Sequence, residues 1–206
     1  VIANLAWSPD GKRLSYTMAT PTRAADLFVV PVEGGQARQL TYSAPGGNIE
    51  QQLVVPEKIA YRSDTLTINA YLYKPPVIGP TDQFPAIVLA HGGPTGQFSD
   101  TYQQQAQFFA RQGYVVLLPN VRGSSGYGRA FEMANNACWG HCDLRDVVAG
   151  VDYLKRLPYV NAAKMGITGS SYGGHMSTSA ITWAPGLFQA AIPASAYPDR
   201  VEFMKE

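Results

Sequence analysis

Over residues 1–41 apolar and polar positions alternate in short stretches broken by turn-forming clusters, the pattern of β-strands. Strands are predicted at Ala3–Trp7, Arg13–Met18, Asp26–Val32 and Gln36–Thr41, with turns at Ser8–Lys12 and Glu33–Gly35. Four antiparallel strands of this length make one blade of a β-propeller. A lone blade leaves both faces open and no second copy follows, so the segment reads as the tail of a longer propeller. An unrelated β-meander packed on the next domain is the alternative.

The turn-rich stretch Ser43–Asn48 marks a boundary, dividing the chain into a blade at 1–47 and a second domain at 48–206. Beyond it, Glu57–Arg62 and Leu66–Lys74 read as a hairpin around Ser63 and Asp64, with Ile68, Ala70 and Leu72 on one face. Then strand and helix alternate: a strand at Ala86–Ala90, a helix over Tyr102–Gln112 stopped by Gly113, and a strand at Val115–Leu118. In the segment Asp143–Arg156, Leu144, Val147, Val148, Val151 and Leu154 recur at helical spacing before Pro158. A strand at Lys164–Thr168, a helix at Gly173–Trp183 and a strand at Phe188–Ala194 complete the pattern. Such alternation, with strands apolar throughout, implies an α/β domain: a mostly parallel sheet with helices on both faces.

One five-residue string carries chemistry. Gly169, Ser170, Ser171, Tyr172 and Gly173 form a G-x-S-x-G sequence between a predicted strand and a predicted helix. A sharp strand-to-helix turn would hold Ser171 in strained backbone geometry, with glycines two before and two after it letting neighbouring backbone pass closely. The serine would sit at a helix N-terminus, where free N–H groups face any developing oxyanion, that of Tyr172 first. Ser170 has the wrong spacing to the glycines. A second donor is expected from the loop after an earlier strand, and His91, Gly92, Gly93 and Pro94 directly follow Ala90, much like the oxyanion loops of lipases and esterases. His91 reads as structural, because a triad histidine follows the serine in chain order.

Composition narrows the partners. Lys and Arg (16) nearly balance Asp and Glu (15), for a net charge of +1, so neither nucleic acid nor an anionic membrane surface is indicated. No run approaches the roughly 18 apolar residues of a membrane-spanning helix. The chain opens on Val1 without a basic-then-apolar leader, from which the true N-terminus is expected to be missing; compartment stays open between cytoplasm and periplasm. Cys138 and Cys142 stand too close and too few for a disulfide framework. Only His141 stands nearby, short of the four ligands of structural zinc, so the pair reads as two thiols or one local disulfide and no metal is expected. Arg122 reads as ordering its own loop rather than binding a substrate carboxylate, and the run Arg122–Arg129 reads as flexible.

Taken together, these motifs resemble the prolyl oligopeptidase family of serine peptidases. The resemblance rests on His91–Pro94, on Asn120–Gly128 with Arg122 and Gly123 at its head, on Trp139 and Gly140 before Asp143 and Asp146, and on Gly169–Gly174. The first of these is more similar to the acylaminoacyl-peptidase and bacterial oligopeptidase branch than to the dipeptidyl-peptidase branch. The strings at Trp7–Lys12 and Asp26–Gly35 are similar to propeller repeats of such peptidases. The resemblance implies a partial α/β-hydrolase fold after a terminal propeller blade, with Ser171 as nucleophile, Tyr172 and Gly93 as oxyanion donors, and Gly92, Gly169, Gly173, Gly174 and His91 in support. It also implies short peptides as substrates, no cofactor, and a triad Asp and His that this chain does not contain. His175 lies one helical turn beyond Ser171 and Asp199 one strand too early. The 206 residues alone are therefore expected to be inactive. An esterase of the same fold and a non-catalytic binding protein remain the alternatives.

Overall fold

The computed structural model describes residues 1–44, 52–199 and 201. The chain divides into two compact units, Val1–Val55 with Ser99–Gln107, and Pro56–Phe98 with Phe108–Glu206. Pro45–Asn48, most of the boundary expected from the sequence, lie outside the described residues.

The first unit holds a four-stranded antiparallel meander, β1 (Ile2–Trp7), β2 (Arg13–Thr20), β3 (Arg23–Pro31) and β4 (Arg38–Gln39), paired in that order. The strand expected at Gln36–Thr41 shrinks to two residues because polar groups leave the ladder for a buried carboxylate. Asp26, 2% exposed, accepts Gln39 Nε2 at 3.0 Å, Thr41 Oγ1 at 3.0 Å and the Ser43 N–H at 2.8 Å. The Leu27 N–H is taken by Thr41 Oγ1 at 2.9 Å instead of a carbonyl.

The second unit holds a six-stranded sheet in the order β10-β9-β7-β8-β6-β5. Its strands are β5 (Glu57–Ser63), β6 (Leu66–Tyr73), β7 (Phe84–Ala90), β8 (Val115–Asn120), β9 (Val160–Ser170) and β10 (Ala190–Ala194). The β5–β6 hairpin adds antiparallel to β8, while β8, β7, β9 and β10 run parallel. The crossovers carry helices: α1 (Gln104–Arg111) between β7 and β8, a short α2 (Arg129–Glu132) and then α3 (Leu144–Lys155) between β8 and β9, and α4 (Tyr172–Trp183) between β9 and β10.

Alternation along each strand sorts the core. Ile68, Ala70 and Leu72 of β6, Ala86 and Val88 of β7, and Met165 and Ile167 of β9 share one buried cluster with Val147, Val151 and Leu154 of α3 and Met176 and Ala180 of α4. On the other face Ile87, Gly166 and Thr168 line an apolar groove with Phe109 of α1. Stacking α3 and α4 against β7 and β9 leaves the carboxyl ends of those two strands side by side, and the candidate residues stand there.

Candidate active site

At the end of β9 the chain turns within one residue into α4. Ser171 has φ 58° and ψ −119°, a left-handed conformation that non-glycine residues adopt only when their surroundings over-determine it. The constraints are visible on both sides of the turn. A Cβ at Gly169 would lie 2.4 Å from the Ala90 carbonyl oxygen, and one at Gly173 would lie 2.2 Å from the same atom. The turn is thus wedged on the end of β7 by two glycines, which is why their spacing about the serine matters. Gly174 packs in the same manner on β10, where an added Cβ would meet the Ala194 carbonyl oxygen at 2.2 Å. The Ser171 N–H donates to Ala194 O at 3.1 Å, its carbonyl accepts the His175 N–H at 3.0 Å, and the residue is exposed.

The loop after β7 lies alongside. A Cβ built on Gly92 would sit 3.7 Å from Ser171 Cβ, so the two motifs, some eighty positions apart in the chain, meet as neighbours. Gly93 is exposed at φ 136°, leads into a cis bond to Pro94, and has the Thr95 and Gly96 amide nitrogens 2.5 Å from where a Cβ would stand. His91 anchors this loop from below: Nδ1 is 2.8 Å from Gly92 O, and Nε2 is 2.9 Å from Ser124 Oγ, which in turn lies 2.6 Å from Val121 O. Burial holds the imidazole below its usual pKa, and the Ser124 hydroxyl that meets Nε2 spends its own hydrogen on Val121 O.

Contrary to the flexibility expected of residues 122–129, the head of that run is buried and bonded. Arg122 forks onto the fully buried Asp146 through Nε (3.0 Å to Oδ2) and Nη2 (2.7 Å to Oδ1), its own N–H donates to Asp146 Oδ2 at 2.7 Å, and Nη2 reaches Asp64 at 2.8 Å. Arg122 thus orders its loop, and the Arg122 hydrogen bond holds the Asp64 carboxyl below its usual range. Gly123 is small because Asn135 packs against it, where a Cβ would stand 2.2 Å from Asn135 Nδ2.

Tyr172, 1% exposed, turns its ring inward, and its hydroxyl donates to Asp143 Oδ2. Asn135 Nδ2 donates to the same oxygen at 3.1 Å, and the Trp139 ring meets the Tyr172 ring edge-on at 5.8 Å. Burial pushes the Asp143 carboxyl up, and burial together with the Asp143 charge pushes the Tyr172 hydroxyl up. Cys138 and Cys142 form a disulfide across Trp139, resolving the alternatives left by the sequence. Among the described residues no group of three or more His, Cys, Asp or Glu is disposed to hold a metal ion. His175 lies on α4 with its ring stacked on Tyr197 at 5.0 Å, His141 packs edge-on against Trp183, and Asp199 Oδ1 accepts the Val201 N–H at 2.9 Å.

A model of the prolyl oligopeptidase family matches residues 100–206, just over half of the chain. The chain belongs to the prolyl oligopeptidase family. Curated relatives of this family include the uncharacterized peptidase YuxL of Bacillus subtilis, 32% identical over 204 residues, which cover 98% of this chain and 31% of that protein. The chain therefore spans about a third of that relative's length. Among solved structures, an acylaminoacyl peptidase in complex with Z-Gly-Gly-Phe-chloromethyl ketone superimposes with a TM-score of 0.81 at 31% identity, covering 95% of this chain and 31% of that one. A puromycin-hydrolyzing peptidase of Mycobacterium tuberculosis superimposes with a TM-score of 0.84 at 27% identity, again over 95% of this chain and 31% of that one. The family places the six-stranded unit in the α/β-hydrolase class.

What sequence reasoning missed is the support beneath these motifs. Asp143, Asp146 and Arg122 stood in the strings that carried the resemblance, but their pairing, and Asn135 altogether, lie at separations no periodicity links.

Proposed function

We propose that the full-length protein is a serine peptidase acting on short peptides, with Ser171 as the nucleophile that attacks the peptide carbonyl, expels the amine and is freed by water from the acyl-enzyme. The observation that carries this reading is the strained, exposed Ser171 with the Gly92–Gly93 loop beside its Cβ. In this reading the N–H groups of Tyr172 and Gly93 receive the oxyanion, with Gly92, Gly169, Gly173, Gly174 and His91 holding the two loops together. The peptide chloromethyl ketone bound by the similar acylaminoacyl peptidase favours peptides over simple esters.

The triad Asp and His are assigned to parts of the protein outside these residues. His91 is committed to Ser124, His175 rides on α4 itself, and His141 packs on Trp183, so none is placed to serve as the base. The 206-residue chain alone is accordingly inactive toward peptides in this reading. The β1–β4 meander is taken as a terminal propeller blade, with 1–47 as the blade segment and 48–206 as part of the catalytic domain; Ile2, Leu5 and Trp7 of β1 stand 58%, 64% and 65% exposed, as they would where a neighbouring blade stacks.

The test is intact-mass analysis of the full-length protein treated with a fluorophosphonate, beside Ser171→Ala. One adduct on the wild type and none on the variant supports the reading. Labelling that survives in Ser171→Ala places the nucleophile elsewhere, and an unlabelled wild type removes the activated serine altogether.

A further inference from the structure

The residue after the nucleophile is the first of α4, so its N–H has no carbonyl within the helix to fix its direction. Its side chain is held instead. The Tyr172 ring lies between the Trp139 ring at 5.8 Å and the His175 ring at 5.7 Å, and its hydroxyl ends on Asp143. Asp143 occupies the N-cap position of α3, where aspartate ordinarily accepts an N–H of the first turn, yet it makes no such side-chain bond. Its carboxylate, fully buried, is turned toward Tyr172 and Asn135, both of which use Oδ2. A carboxylate buried away from water that forgoes the capping bond of its own helix is unfavourable for stability by itself. Its effect falls on the residue next to Ser171.

We infer that Asp143 is a positioning residue of the nucleophile turn: with Asn135 it pins the Tyr172 hydroxyl, and through the buried ring it fixes the backbone N–H of Tyr172 beside Ser171. The inference rests on the proposed role of Ser171. The Tyr172 hydroxyl itself stays inside the domain and never meets substrate. Nothing in the Gly169–Gly174 motif requires a hydroxyl at position 172, so the anchor is particular to the pairing of Tyr172 with Asp143 and Asn135.

The test is the rate at which a fluorophosphonate modifies the full-length protein, together with the final fraction modified. In that reaction the Ser171 Oγ–P bond forms, the P–F bond breaks with loss of fluoride, and the hydroxyl proton passes to the general base. Tyr172→Phe, which keeps the ring, and Asp143→Ala are each expected to slow modification about 10- to 100-fold while the final fraction stays that of the wild type. The double variant is expected to be no slower than the single ones, because both remove one hydrogen bond. Asp143→Asn, which retains an acceptor oxygen, is expected to recover most of the rate. A merely structural Asp143 would lower the final fraction and leave the rate unchanged, and that result overturns the inference, as does a wild-type rate in Tyr172→Phe. A wild type that is never modified, or adduct formation that persists in Ser171→Ala, overturns the Ser171 assignment instead, so the two failures are told apart.

Discussion

Substituting Gly173 by Ala places a Cβ 2.2 Å from the carbonyl oxygen of Ala90 and 2.8 Å from its carbonyl carbon, where ordinary contact begins at 3.4 Å. Both partners are backbone, so no rotamer change relieves the overlap, and α4 must retreat from the end of β7 by about 1 Å. Overpacking of this kind costs about 1–3 kcal/mol. A loss of about 2 kcal/mol lowers the urea midpoint by roughly 1 M. The same retreat separates Ser171 from the Gly92–Gly93 loop, and a misplacement of about 1 Å reduces the fluorophosphonate reaction of the full-length protein on the order of 100-fold. Gly166→Ala is the internal control: it makes the same chemical change in β9, but the nearest atoms are 3.6 and 3.7 Å away. Gly166→Ala is expected to leave both the urea midpoint and the labelling rate near the wild type, within about 0.5 kcal/mol. Equal effects of the two substitutions, or a wild-type midpoint for Gly173→Ala, would refute the steric wedge.

Removing the partner of a buried charge gives a second test. Arg122→Met strands the Asp146 carboxylate, 0% exposed, and is expected to destabilise by about 3–5 kcal/mol in urea unfolding, with little relief from salt. Arg145→Met, at a side chain 56% exposed, is expected to change stability by less than about 1 kcal/mol in the same assay. His91 titrates below its ordinary value of 6.5 in the fold, so the unfolded chain takes up a proton that the folded one resists. Its contribution to stability is therefore full above pH 6.5 and declines as the pH falls from there toward the lowered folded value. Urea midpoints of His91→Gln measured from neutral to mildly acidic pH should show a flatter profile than the wild type. Reducing the Cys138–Cys142 bridge, which spans a sequence separation of 4, is expected to lower stability by about 2 kcal/mol, read from unfolding with and without dithiothreitol.

Much of the candidate site was legible because it depends on local constraints. A glycine two residues before and two after Ser171, between an apolar strand and an amphipathic helix, already implies the turn, since only glycine lets backbone approach within the distances seen at Ala90. The strands β5 to β10 and the helices α3 and α4 follow from periodicity, because the burial that drives them repeats at 2.0 or 3.6 residues whatever the partners are. The length of β4 and the buried order at the head of the run 122–129 did not follow, for a common reason. In each, a buried carboxylate far along the chain redirects polar groups: Asp26 takes Thr41 and Ser43, and Asp146 takes Arg122. Composition at such positions says only that the residue is polar, or small, and gives no indication of the partner.

By itself, then, the amino-acid sequence determined the element types, the parallel α/β architecture and the identity of the strained serine, all of which are set within a few residues of one another. Tertiary structure alone decided that a Cβ on Gly92 would stand 3.7 Å from Ser171 Cβ, that Asp143 abandons its own helix for Tyr172, and that Cys138 and Cys142 are joined. These depend on which strand ends the sheet order brings side by side. That order is fixed by the packing of α3 and α4 against β7 and β9, an interaction distributed over the whole buried face.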